Sequence, residues 1–156
     1  MAEDNNEELI KQLNDFLKGI NMGSDAFTDY LEKTENLDLK HKFKKIISTF
    51  ASHKKIVTSY IEKLGGEPKE SIGITGGVAT IFEKMKEIFM DKDDEILNAA
   101  VKAMDMGVQG GSKVIEQLEH MDIKHSIFTS LKDMIKEYET IYNNLNLLYK
   151  KTSIKD

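Results

Sequence analysis

Residues 13–41 return, shifted by 84 positions, at residues 97–125, with ten identities in 29 positions. Leu13-Asn14, Lys18, Met22-Gly23, Glu32, Glu35, Asp38 and Lys40-His41 recur as Leu97-Asn98, Lys102, Met106-Gly107, Glu116, Glu119, Asp122 and Lys124-His125. A segment used twice gives two like units, each with an apolar face that only the other can cover. If the units are helical hairpins, the expected architecture is all-α: two duplicated antiparallel α-hairpins closed into a four-helix bundle through one long crossover.

The spacing of apolar residues supports helices throughout. Leu9, Leu13, Phe16, Ile20, Gly23, Phe27, Tyr30 and Thr34 alternate at three and four residues, the pattern of one buried helix stripe. Leu39, Phe43, Ile46, Phe50, His53, Val57, Tyr60 and Leu64 repeat it, and Gly65-Gly66 followed by Pro68 predicts a stop near Leu64. A third stripe runs through Leu97, Ala100, Met104, Gly107, Gly111, Val114, Leu118 and Met121, and a fourth through Ile127, Leu131, Met134, Tyr138, Ile141, Leu145 and Leu148. Short links make each pair antiparallel. The expected divisions of this single domain are hairpin one at about 7–64, a crossover with a short extra helix at 65–91, hairpin two at about 94–150 and a frayed tail at 151–156.

Composition narrows the function classes. A chain of 156 residues, 40% hydrophobic and 31% charged, can bury a core without disulfide or metal support. The absence of cysteine excludes zinc fingers, thiolate metal sites and thiol nucleophiles. A formal charge of −5 argues against nucleic acid, whose phosphates demand a concentrated basic face. All 22 basic residues are lysines, so no arginine fork can clamp a phosphate. With no membrane-length apolar run and an acidic start, Met1-Ala2-Glu3-Asp4, the expected location is the cytoplasm.

Two loops invite sharper readings and fail them. Asp91-Lys92-Asp93-Asp94-Glu95 has the acids of a calcium loop, but Ile96 stands where the glycine is required and Lys102 where the final glutamate is; N-cap and first-turn acids for helix three are the better reading. Ile72-Gly73-Ile74-Thr75-Gly76-Gly77 lacks the Gly-Lys-Ser/Thr ending of a phosphate loop and reads as a flexible crossover. No strand-turn-helix elbow sets a serine beside a histidine, so hydrolase chemistry has no support.

The order of signals, two short-linked hairpins, Leu64-Gly65-Gly66-Glu67-Pro68, a short helix after Gly76-Gly77 and the Asp93-Asp94-Glu95-Ile96-Leu97 restart, resembles a bacterial ferritin-like four-helix-bundle family catalogued as a domain of unknown function. The resemblance spans about residues 8–150. It implies a ferritin-like bundle and, for many members, no established activity. Gly107 matches the family pattern, but related sequences tend to carry acids where this chain has Val108 and Gln109, a departure that counts against metal chemistry on that helix.

A ferritin-like di-iron centre takes one Glu from each of two helices and a Glu-x-x-His pair from each of the others. None of the four histidines meets that spacing: Phe50 precedes His53 and Gln117 precedes His120, while Asp38 and Asp122 precede His41 and His125. Each of those aspartates stands at an expected helix start, where a carboxylate accepts free backbone N–H groups, so capping is the preferred reading over a metal pair. His53 falls on the second seam and its repeat partner Glu137 lies beside the fourth, so both approach the middle of the bundle. The expectation for His53 is a satisfied, partly buried histidine, with a mononuclear or vestigial metal site at His53 and Glu137, aided loosely by Asp25 and Gln109, as the alternative.

Gly23 and Gly107 sit at equivalent mid-helix places, where glycine costs about 1 kcal/mol relative to alanine. Close packing against Phe50 or Met134 is the expected compensation, and a core cavity for a small ligand the alternative. Met22, Met85, Met104, Met106 and Met134 read as core filling. Tyr138, Tyr142, Leu147 and Tyr149 exceed what one seam can bury, which suggests a homodimer or protein partner on the last helix.

The functional expectation is a non-catalytic bundle of structural or interaction role, without cofactor or membrane partner. Its rivals are a degenerate metal-handling or peroxide-defence protein, using iron or manganese, and a small-ligand binder.

Overall fold

The computed structural model describes residues 2–69, 92–121 and 126–154. Four helices make up the described residues: α1 (Ala2–Lys33), α2 (Leu37–Lys63), α3 (Asp93–His120) and α4 (Ser126–Ile154). The expected short helix and the glycine-rich crossover fall largely outside them, as do Asp122 and His125. Both α1 with α2 and α3 with α4 pack along their lengths, α1 also packs closely on α3, and α2 touches α4 sparingly.

Antiparallel pairing of α1 and α3 follows from two anchors. Asp93, at the start of α3, receives hydrogen bonds from the turn that ends α1: Thr34 Oγ1 donates to Oδ1 at 2.9 Å, Glu35 N to Oδ1 at 3.1 Å and Asn36 N to Oδ2 at 3.2 Å. Further along, a methyl group on Gly111 of α3 would stand 3.2 Å from Phe16 Cε2 of α1, so glycine there permits the helices to close. The end of α2 and the start of α3 therefore lie at opposite ends of the bundle, as the two-hairpin reading requires.

The seam residues are buried or half-buried as their spacing predicts, Gly107 excepted, with the core running from Leu9 and Leu13 through Phe27, Phe43 and Phe50 to Leu97, Met104, Leu118, Leu131 and Leu145. Met22, Met104 and Met134 fill that core. Burial on α1 is broader than one stripe, taking in Leu17, Ala26 and the polar Gln12 and Asn14. Asn14 joins the end of hairpin one to α1: its Nδ2 donates to Glu67 O at 3.2 Å and its Oδ1 accepts from Lys69 N at 2.9 Å.

Helix α2 stops as Gly65-Gly66 predicts. Gly66 N donates to Ile61 O and Gly65 N to Glu62 O, the paired bonds of a Schellman stop, with Gly65 at φ 85°. Gly66 is glycine for a second reason, since a methyl group there would meet Ile10 Cγ2 at 2.8 Å.

Other boundaries differ from expectation. Asn36, not Asp38, caps α2, its Oδ1 accepting from Leu39 N at 3.1 Å. Asp38 is exposed in the first turn, where its charge complements the helix dipole without closing a cap. Lys92 occupies the N-cap of α3 without a side-chain bond, and the acids Asp93, Asp94 and Glu95 fill the first turn. Residues 151–154 continue α4 instead of fraying, with Thr152 Oγ1 bonded back to Leu148 O. Helix propagation past the core needs no apolar partner, so its continuation left no periodic signal.

Candidate functional site

The polar centre of the bundle lies where α2 faces α4. His53 is 6% exposed, placed there by its seam position between Phe50 and Val57. Its Nδ1 stands 2.6 Å from Tyr138 Oη and its Nε2 2.9 Å from Glu137 Oε2. Adjacent residues of α4 thus grip both ring nitrogens of one imidazole. Tyr138 is buried at 4% exposure, whereas the Glu137 side chain is 54% exposed and carries the cluster to the surface. His53 and Glu137 are separated by the same 84 residues as the repeated segments.

The roles of the atoms follow from their chemistry. A carboxylate can only accept, so His53 Nε2 carries a proton and donates to Glu137. In the neutral ring Nδ1 then holds a lone pair and accepts from the Tyr138 hydroxyl, and every polar atom of the imidazole is paired. Burial pushes the Tyr138 phenol well above its ordinary pKa, and the neighbouring Glu137 charge pushes it further. Tyr30 is raised likewise, by burial and then by Asp29.

Aromatic rings enclose the cluster. Tyr138 packs edge-on to His53 with centroids 5.1 Å apart and tilted against Phe50 at 5.5 Å. Phe50 continues to Phe27 at 6.0 Å, and Phe27 to Tyr30 at 5.3 Å and Phe43 at 5.7 Å. Sequence reasoning found His53 and Glu137 but missed Tyr138 as their third member; its seam position one residue after Glu137 was the available signal.

The other candidates do not converge here. Asp25 and Gln109 are exposed, and Gln109 Nε2 donates instead to Asp105 Oδ2 at 3.0 Å. His41 and His120 are exposed, and His41 lies on the same exposed turn as Asp38. Among the described residues no three His, Asp or Glu side chains come together to hold a metal.

The two equivalent glycines part company. A methyl group on Gly23 would stand 2.8 Å from Phe50 Cζ, so the packing expectation holds at that position. Gly107 is exposed, and nothing stands within 4 Å of a methyl group there. The glycines therefore do not frame one interior cavity: one is filled by a phenyl ring and the other opens outward. On α4 the suspected surplus is mostly absorbed, with Tyr142 and Tyr149 packed partly against the core and Leu147 left 59% exposed.

The sequence profile of a family described as a domain of unknown function, DUF2383, matches residues 8–117. The chain belongs to that family. No curated protein sequence matches it. Among solved structures it is similar to a ferritin-like, diiron-carboxylate protein from Bacillus anthracis str. Ames, at 22% identity and a TM-score of 0.72 over 93% of this chain and 97% of that one. It is also similar to a DPS protein from Vibrio cholerae O1, described as a member of a broad superfamily of ferritin-like diiron-carboxylate proteins, at 17% identity and a TM-score of 0.73 over 93% and 91%. A two-domain protein from Anabaena variabilis ATCC 29413, with DJ-1/ThiJ/PfpI-like and ferritin-like domains, gives 17% identity and a TM-score of 0.75; 97% of this chain aligns with 38% of that one. At such identities the likeness carries the fold: a ferritin-like four-helix bundle.

The described residues do not fit a di-iron carboxylate centre. Such a centre needs Glu three residues before each ligand histidine. Here Phe50, buried as a core side chain, stands three residues before His53, and the exposed Gln117 three before His120. Among the described residues the one buried imidazole, His53, has both nitrogens taken by protein partners, leaving no lone pair for a cation.

Proposed function

We propose that this chain is a non-catalytic ferritin-like bundle of the bacterial cytoplasm that acts through contacts made by its helix surfaces. The observation that supports this is the filled interior: around the fully paired His53, Phe50, Met134 and Tyr138 occupy the core of α2 and α4 where no inward carboxylate is found among the described residues. Removing those side chains to admit a metal would break buried packing and hydrogen bonds at once, which the fold has no reason to retain in a metal carrier.

Self-association is the interaction we favour. Leu147 on α4 and Ile56 on α2, 59% and 45% exposed, are large apolar side chains that a partner would cover. Light scattering at high concentration is expected to give more than a monomer, and a strict monomer would remove this part of the reading. No helix among the described residues is long and apolar enough to cross a membrane, in keeping with an aqueous partner.

Elemental analysis of protein purified from iron- and manganese-replete cells tests the central claim. The expected result is metal far below one ion per chain. Near-stoichiometric iron or manganese, lost on replacing His53 by Gln, would overturn it in favour of metal handling at His53 and Glu137.

A further inference from the structure

The cluster between α2 and α4 has the parts of a coupled electron and proton donor. Tyr138 Oη lies 2.6 Å from a base, His53 Nδ1, and the imidazole's other nitrogen lies 2.9 Å from Glu137, whose side chain reaches solvent. A phenol gives up an electron far more easily when its proton can leave at the same moment along a hydrogen bond already formed, because no charged phenol radical then has to exist in a low-dielectric interior. The chain contains no Trp and no Cys, so tyrosine is the side chain that yields a single electron most readily.

We propose that Tyr138 is a one-electron donor site, its phenolic proton passing to His53 as a diffusing radical oxidant takes its electron, so that the cluster acts as a sink for oxidising equivalents. The O–H bond of Tyr138 breaks and an N–H bond forms at His53 Nδ1. The proton on Nε2 moves to the Glu137 carboxylate, which releases it to water, and the ring is left neutral in the other tautomer. The electron reduces the oxidant, for a peroxyl radical to a hydroperoxide that draws its proton from water. Phe50, Phe27 and the second buried tyrosine, Tyr30, continue the aromatic column inward from Tyr138. This goes beyond the interaction role above and does not rest on it, since a donor used once per reduction needs neither metal nor turnover.

The test uses azide radical generated by pulse radiolysis on the full chain, with the phenoxyl species followed optically and by freeze-quench EPR. A positioned base accelerates proton removal by about a hundredfold or more, so the radical should collect at Tyr138 ahead of the four other tyrosines. Tyr138→Phe keeps the ring and is checked for fold by circular dichroism; it should abolish the persistent signal although Tyr30, Tyr60, Tyr142 and Tyr149 remain. Glu137→Gln, at a half-exposed position, keeps an acceptor for Nε2–H but cannot take the proton, and should shorten the life of the radical. Oxidation of the unsubstituted protein should slow in D2O. Equal yield and decay in Tyr138→Phe and the unsubstituted chain would overturn the proposal, as would a radical indifferent both to Glu137→Gln and to D2O.

Discussion

Single residues here draw their meaning from what faces them. Gly23 and Gly107 are equivalent in the sequence repeat, yet Phe50 lies on the first and open space on the second. Gly107→Ala should therefore stabilise the protein by up to about 1 kcal/mol, since alanine removes unfolded-chain entropy and meets no atom. Gly23→Ala should destabilise it by ~1–3 kcal/mol, because Phe50 is wedged between Tyr138 and Phe27 and cannot withdraw freely. Urea unfolding of the two variants checks both signs, and equal effects would refute the contrast. The cap of α2 gives a second residue-level test. Asn36→Ala should cost ~1 kcal/mol by opening the bond to Leu39 N, and Asp38→Ala only a few tenths, at the low end of the dipole effect. A larger loss at Asp38 in thermal melts would restore it as the cap.

At the scale of elements, the junctions are held by polar groups that no periodicity announces. Asp93 gathers three donors from the α1–α2 turn and so ties the start of α3 to the end of α1. Asp93→Ala should cost about 2 kcal/mol, as Thr34 is buried and its hydroxyl loses its acceptor. The loss should be visible as faster hydrogen exchange confined first to residues around 34–36, and a uniform rise across all helices would argue against a local clamp. The Gly-Gly stop of α2 was legible because chain reversal with φ 85° excludes other residues locally. The Asp93 clamp was not, because its partners lie 57–59 positions away. Asn14, joined to Glu67 and Lys69, escaped notice for the same reason.

For the whole molecule, the two buried phenols set an alkaline limit. Both have folded pKa values raised above the ordinary phenol value, so folding favours their protonated form. Their contribution is fully present below about pH 10 and falls above it, as the unfolded chain releases protons that the folded chain keeps, by up to ~1.4 kcal/mol per pH unit for each phenol. Denaturant midpoints measured on either side of that pH should decline accordingly, and Tyr138→Phe should reduce the slope by about one proton. A slope unaffected by the substitution would show that Tyr138 is not the group responsible.

The four helices, their seams and the pairing into hairpins could be derived from the chain alone, because apolar spacing reports helix burial directly and short links permit only antiparallel neighbours. Even the approach of His53 and Glu137 was visible, since both fall near the middle of their helices, on or beside the seam, where antiparallel halves are level. What required the assembled bundle was the partnership that gives those residues their chemistry. Whether an imidazole ends up free for a metal or held between a phenol and a carboxylate depends on distances across two helices that no stretch of sequence spans, and only the packing of α2 against α4 brings those three side chains within hydrogen-bond reach.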